Sequence, residues 1–232
     1  MPTIVGIDAG DSAVLALPPV ISDTEWVVNR LAEYREENVY RVLQQRGDLT
    51  RIVSATQNPA LAQVTVDTRY ITGSGHGDPN TFEGHDNSPI FAVGNYDHQL
   101  VEGKLVHLVS CYTAKELGAD FVRKGCQAFF GYDGDFFFLF EDPNPFLKCD
   151  SQVDFALADG NDAGTAYQTA LAAYNEAIDA NKAIANNPAT ATADAKKKRF
   201  EAAVLKYDRD HLCGPGKLDS NGTYGDTTAM LP

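Results

Sequence analysis

Residues 106–134 read VHLVSCYTAKELGADFVRKGCQAFFGYDG. The segment opens in a β-rich apolar run, LVHLVS (105–110), that stops at Cys111. A stretch of helical composition follows from Thr113 to Lys124, closed by Gly125, and a second apolar run, QAFFGY, covers 127–132. Working outward, RYITG (69–73), RIVSA (51–55) and TIVGI (3–7) have the same short apolar character and predict three further strands. Asp23 or Thr24 is placed to cap a helix running to Gln45, with Trp26, Val27, Leu31, Tyr34, Val39 and Leu43 near helical spacing and Gly47 as its stop. Leu61 to Val66 is ambiguous between a short helix and a strand. Strands alternating with helices predict an α/β fold with a mainly parallel sheet, helices on both faces, and ligands outside the carboxyl ends of the strands.

Beyond Ala163 the composition changes. Tyr167, Leu171, Tyr174 and Ile178 are spaced by four, three and four, the NNP at 186–188 interrupts, and Phe200, Val204 and Tyr207 follow at four and three. This predicts a helical hairpin over 163–211, followed by a Gly- and Asp-rich tail read as loop. No strand is visible after Glu141, so the far edge of the sheet has no sequence signal. The expected organisation is a catalytic α/β domain over 1–150 and a hairpin appendage with a loop-rich tail over 151–232. The hairpin reads either as a structural appendage or as a docking arm for a regulatory protein partner. Two polar stretches, Glu141 to Gly164 and Lys196–Arg199, are candidates for cleavage.

The formal net charge of −13 argues against nucleic acid or an anionic membrane as the main partner. Cys111, Cys126, Cys149 and Cys213 form no CxxC pair and no Cys/His zinc spacing, so free thiols and no metal are expected. The first residues, MPTIVGIDAGDSAV, lack a basic flank before the apolar stretch. With no run of transmembrane length, the expectation is a soluble cytoplasmic protein.

Two short blocks carry chemistry. In TGSGHGD (72–78), His76 stands between glycines where a predicted strand ends, and in LVSCYTAKELG (108–118), Cys111 stands between a strand and a helix. A cysteine nucleophile requires a base, and a helix N-terminus lowers a thiol pKa, so His76 and Cys111 form a candidate dyad. His85, in FEGHDN, is a second Gly-preceded histidine without a strand before it. Cys126 precedes a strand and reads as core, Cys149 and Cys213 lie in polar segments, and His107 alternates inside a strand. GIDAGDS (6–12) looks like a phosphate loop of actin-like kinases, but the further motifs that fold requires are missing.

The segments YITGSGHGD (70–78) and 106–134 together resemble the His and Cys blocks of caspase-like cysteine peptidases, on the bacterial CHAT, gingipain and clostripain side of that clan. The resemblance implies a caspase-like three-layer sandwich and a cysteine endopeptidase without cofactor. His76 maps to the general base, Cys111 to the nucleophile, and the N–H groups of Gly77 and Cys111 to the oxyanion hole. The substrate it implies is a polypeptide. Asp133 and Asp135 fall where relatives place a pocket wall, and an acid there selects Lys or Arg, although a turn Asp beside Gly134 is an equal reading. The sequence departs from the caspase Q-A-C-x-G block, since Val109–Thr113 reads VSCYT, and aspartate specificity does not follow. The competing reading is a catalytically inactive caspase-like interaction module; a third is another cysteine hydrolase or transferase on the same scaffold.

Overall fold

The computed structural model describes residues 3–8, 30–45, 49–53, 56–84, 87–139, 141–218 and 222–231. Helical residues 30–45 form α1, within which Arg35–Tyr40 is a π-helical turn. Around it lie β1 (Thr3–Asp8), β2 (Leu49–Val53), α2 (Gln57–Leu61) and β3 (Thr68–Ser74). Three short strands follow, β4 (His76–Gly77), β5 (Thr81–Glu83) and β6 (Pro89–Ala92). Then come β7 (Leu105–Val109), α3 (Leu117–Arg123) and β8 (Ala128–Tyr132). The remainder holds α4 (Asn144–Asp150), α5 (Gln152–Ala158), α6 (Ala163–Asn186), α7 (Thr192–His211) and β9 (Leu212–Cys213).

The main sheet has the order β2-β1-β3-β7-β8-β9. Its first four pairings are parallel, and β9 joins β8 antiparallel, Gly131 opposite Cys213 and Tyr132 opposite Leu212. Every residue of β7 and of β8 is buried, as strands covered on both faces require. Successive side chains divide between two cores. Ile4, Tyr70 and Phe130 face α1 and α4–α7, whereas Val5, Ile71 and Phe129 face α2, α3 and the small antiparallel sheet β4-β5-β6. The result is a mainly parallel α/β sandwich of three layers.

Several expectations need correction. The helix after Cys111 begins at Leu117, not Thr113, because residues 113–116 are spent in turns. The missing far edge is β9, a two-residue strand inside the tail read as loop. The stretch from Glu141 to Gly164 is not an open polar segment. It folds as α4 and α5, burying Phe146, Leu147, Val153 and Leu157. Cys149 and Cys213, although they lie in polar segments, are buried in the core. Residues 57–61 are helical, and turns follow to Asp67. The N-terminal cap and the Gly47 stop of the long helix, and most of GIDAGDS, lie outside the described residues.

A buried polar network runs through the sandwich. Asp154 on α5 accepts from Tyr70 Oη (2.9 Å), Thr72 Oγ1 (2.7 Å) and both terminal nitrogens of Arg35 (3.3 Å each). His107 on β7 lies between two acids, its Nδ1 3.1 Å from Asp154 and its Nε2 3.3 Å from Asp150. Tyr132 donates to Asp150 (2.7 Å), and Tyr40 and Ser74 both donate to Asp8 (2.7 and 2.6 Å). The π turn explains part of this geometry. Its wider coil brings Arg35 and Tyr40, five residues apart, to one side of α1, with Arg35 Nε 3.3 Å from the Tyr40 hydroxyl.

Burial alone lowers the His107 pKa, but attraction to Asp150 and then Asp154 outweighs it and raises it to about 9. A raised folded-state pKa gives stability that is complete below the ordinary histidine value of roughly 6.5 and lost as pH rises through the folded value. Urea unfolding is therefore expected to become easier between pH 6 and 9.5, by roughly 3 kcal/mol, and His107→Gln is expected to flatten that slope. A wild-type slope that His107→Gln leaves unchanged would show that His107 is not protonated between its two acids.

Candidate active site

β3 and β7 are parallel neighbours, with Ser74 opposite Val109. The Gly75 N–H then donates to the Val109 carbonyl (3.2 Å), so the chain leaving β3 stays tied to the end of β7. His76 and Cys111 each lie two residues past those adjacent carboxyl ends. The two turns touch through glycine. A Cβ on Gly77 would fall 2.2 Å from Ser110 Oγ and 2.8 Å from Thr113 Cγ2. Only a residue without a side chain lets the His76 block rest on the Cys111 turn.

Cys111 is partly buried, and its sulfur accepts from the Phe136 N–H at 3.5 Å. Because α3 starts six residues downstream, its N-terminus is not at the sulfur, and the expected lowering of the thiol pKa is overturned. Burial pushes the Cys111 thiol up; the Phe136 N–H opposes this, while the nearby Asp135 and Asp208 carboxylates add to it. Burial also lowers the His76 pKa. At neutral pH the pair is thiol and neutral imidazole. The His76 ring makes no hydrogen bond or ion pair among the described residues, so it is free to accept a proton. Tyr112, next to the sulfur, has φ +60°, a left-handed conformation rare for a side-chain-bearing residue. It is held there by its N–H on the Gly134 carbonyl (2.9 Å) and its hydroxyl on Asp135 (2.8 Å).

Asp133 and Asp135 part company. Asp133 is occupied by His211 Nδ1 (2.6 Å) and Lys217 Nζ (2.9 Å). Asp135 stands beside the Cys111 thiol with Tyr112 as its partner. His85 lies outside the described residues. Cys126 is in the core, where burial raises its thiol to about 12. His107, Asp150 and Asp154 bring metal-type donor atoms within 4.8 Å of one another. The Arg35 guanidinium already lies on both acids, 3.3 Å from Asp154 and 3.7 Å from Asp150, and fills the role a cation would take. A cleft of about 830 Å³ is lined by Tyr34, Lys148, Gln152 and Ala177, and neither His76 nor Cys111 lines it. No helix among the described residues is long and apolar enough to cross a membrane.

No protein-family model matches the chain, and no curated protein matches it in sequence. Solved structures match it in fold. The crystal structure of the Arg-specific cysteine proteinase gingipain R superimposes with TM-score 0.54 at 11% identity, over 99% of this chain and 47% of that one. A complex of the pro- and mature domains of Porphyromonas gingivalis RgpB gives TM-score 0.52 at 12% identity, over 99% and 48%. The chain thus spans about half the length of these neighbours. At such identities the likeness establishes the fold, which is the caspase-like α/β sandwich.

Proposed function

We propose that the chain is a cysteine endopeptidase in which His76 and Cys111 act as a general-base dyad. The observation that carries this reading is the placement of both residues just past the carboxyl ends of the adjacent parallel strands β3 and β7, with Gly77 resting on Ser110. Since both groups are neutral at rest, His76 takes the thiol proton as the sulfur attacks the scissile carbonyl. It returns that proton to the leaving amine, and water then hydrolyses the acyl-enzyme. The Cys111 N–H donates to no acceptor among the described residues and, with that of Gly77, is assigned to the oxyanion.

Of the two acids weighed from sequence, Asp135 is the one assigned to a Lys or Arg side chain of the substrate, because Asp133 is already occupied by His211 and the Lys217 ammonium. The Arg specificity of gingipain R supports a basic preference. A second reading, an inactive module that binds a regulatory partner through the 163–211 hairpin, is favoured by the exposed Ile184 and Phe200 near its tip, beside Lys196–Arg199. A peptide library and a thiol-directed activity probe separate the two. Turnover after Lys or Arg, lost in Asp135→Ala and kept in Asp133→Ala, is expected. Preference for aspartate or apolar residues would overturn the Asp135 assignment, and no turnover together with no selective labelling of Cys111 would leave the binding module.

A further inference from the structure

Residues 133–138 leave β8 and pass beside Cys111. One side of this segment is fixed to the nucleophile: the Tyr112 N–H binds the Gly134 carbonyl, the Tyr112 hydroxyl binds Asp135, and the Phe136 N–H points at the Cys111 sulfur. The other side is fixed to α7. The Asp133 N–H donates to the His211 carbonyl (3.0 Å), and the Phe137 ring lies 5.3 Å from that of Tyr207. The Phe137 N–H donates to Asp208 Oδ1 (3.0 Å).

Asp208 is the least expected member of this set. It is fully buried, its Oδ2 has no hydrogen-bond partner among the described residues, and Phe137 N–H is its one hydrogen-bonding group there. The charged or titratable groups facing it are Cys111, Tyr132, Cys149, Asp150 and Tyr174, none of which offers it a cation. A buried acid with a single neutral donor costs stability, so its presence calls for a role outside folding. We infer that Asp208 is a positioning residue of the active site. By holding the Phe137 N–H it orients the preceding peptide, so that the Phe136 N–H stays on the Cys111 sulfur. The second helix of the hairpin is then a wall of the site rather than an appendage to it.

This inference rests on Cys111 as the nucleophile, and two readouts keep the two ideas separable. The first is the pH profile of Cys111 alkylation by iodoacetamide, followed by intact mass, which needs no substrate. The second is turnover of a cleaved peptide. Asp208→Ala is expected to move the alkylation midpoint to higher pH, because losing the oriented Phe136 N–H outweighs losing the smaller repulsion from the Asp208 carboxylate, and to lower turnover about tenfold, as loss of one oriented donor does. Asp208→Asn keeps an oxygen acceptor for the Phe137 N–H without the charge, and is expected to restore turnover and to bring the midpoint back to the wild-type value or just below it.

Gly134→Ala is the second variant, for use if Asp208→Ala does not fold. Its methyl would sit 2.7 Å from the His211 ring and 2.8 Å from the Tyr207 hydroxyl, lifting the same segment off α7 with Asp208 intact. It should reproduce the shifted profile. A folded Asp208→Ala with the wild-type profile, failure of Asn to rescue, or a wild-type profile in Gly134→Ala would each overturn the inference. A wild type that cleaves nothing but whose profile shifts in Asp208→Ala would remove the peptidase reading and leave the positioning role standing.

Discussion

Cys111→Ala is expected to abolish peptide hydrolysis while leaving the fold in place. The side chain is only partly buried, and its sulfur takes the long contact from the Phe136 N–H and stands beside Asp135. Removing the sulfur leaves little cavity, so the loss of stability should be about 1 kcal/mol or less. The loss of turnover should be several orders of magnitude, because no other thiol lies at the carboxyl ends of β3 and β7 among the described residues. His76→Ala should lose as much, and the double variant no more, since a nucleophile and its base act as a unit. Cys126→Ala gives the opposite pattern: its sulfur is packed in the core against the Lys104 and Ala128 carbonyls, so it should cost stability and keep turnover. Melting temperature and turnover on the same preparations decide. Full activity in Cys111→Ala would remove the dyad.

The parallel strands were legible because strands buried on both faces are written as unbroken apolar runs, as in LVHLV and AFFGY. The placement of His76 and Cys111 was legible for the same reason, since each follows the end of such a run. What stayed hidden has physical causes. β9 is two residues long and gives no periodicity to detect. α4 and α5 carry their apolar residues among the acids Asp150 and Asp154, whose burial is made possible by Arg35 and His107, more than 40 residues away in sequence. The stripe on α7 was misjudged by one residue. Phe200, Val204 and Tyr207 suggested the packed face, but Phe200 is 60% exposed, and Ala195, Glu201, Ala202, Leu205 and Asp208 are the buried set. Read in that register, Asp208 falls on the face turned toward the sheet, and an acid at such a position was the available signal for its role. The thiol environment was unreadable because the start of α3 depends on turns at 113–116 that the composition does not mark.

Asp154→Ala is expected to cause the largest loss of stability of any substitution considered. The Asp154 carboxylate is fully buried and accepts from Arg35, His107, Tyr70 and Thr72 at once. Burial raises its pKa, but the Arg35 guanidinium and then His107 outweigh this and hold it well below the usual carboxylate range. Removing it leaves two buried cations with Asp150 as their nearest remaining acid, 3.7 Å from Arg35 and 3.3 Å from His107. Breaking a buried pair by removing one partner typically costs about 3–5 kcal/mol, because the surviving charge stays desolvated. That is a large part of an ordinary domain's stability of roughly 5–15 kcal/mol. Asp154→Asn keeps acceptor oxygen but not charge and should fall between. The effect should reach the site, since Thr72 and Ser74 belong to the strand that delivers His76, and Ser74 is held by Asp8 at its other side. Urea unfolding at pH 7 gives the comparison, and a loss under about 1 kcal/mol would mean that Arg35 and His107 do not depend on Asp154. The compensating test is to replace Arg35 and Asp154 together with Met and Leu: a buried ion pair exchanged for apolar side chains of similar volume is often neutral, so the double variant should recover much of what Asp154→Ala loses.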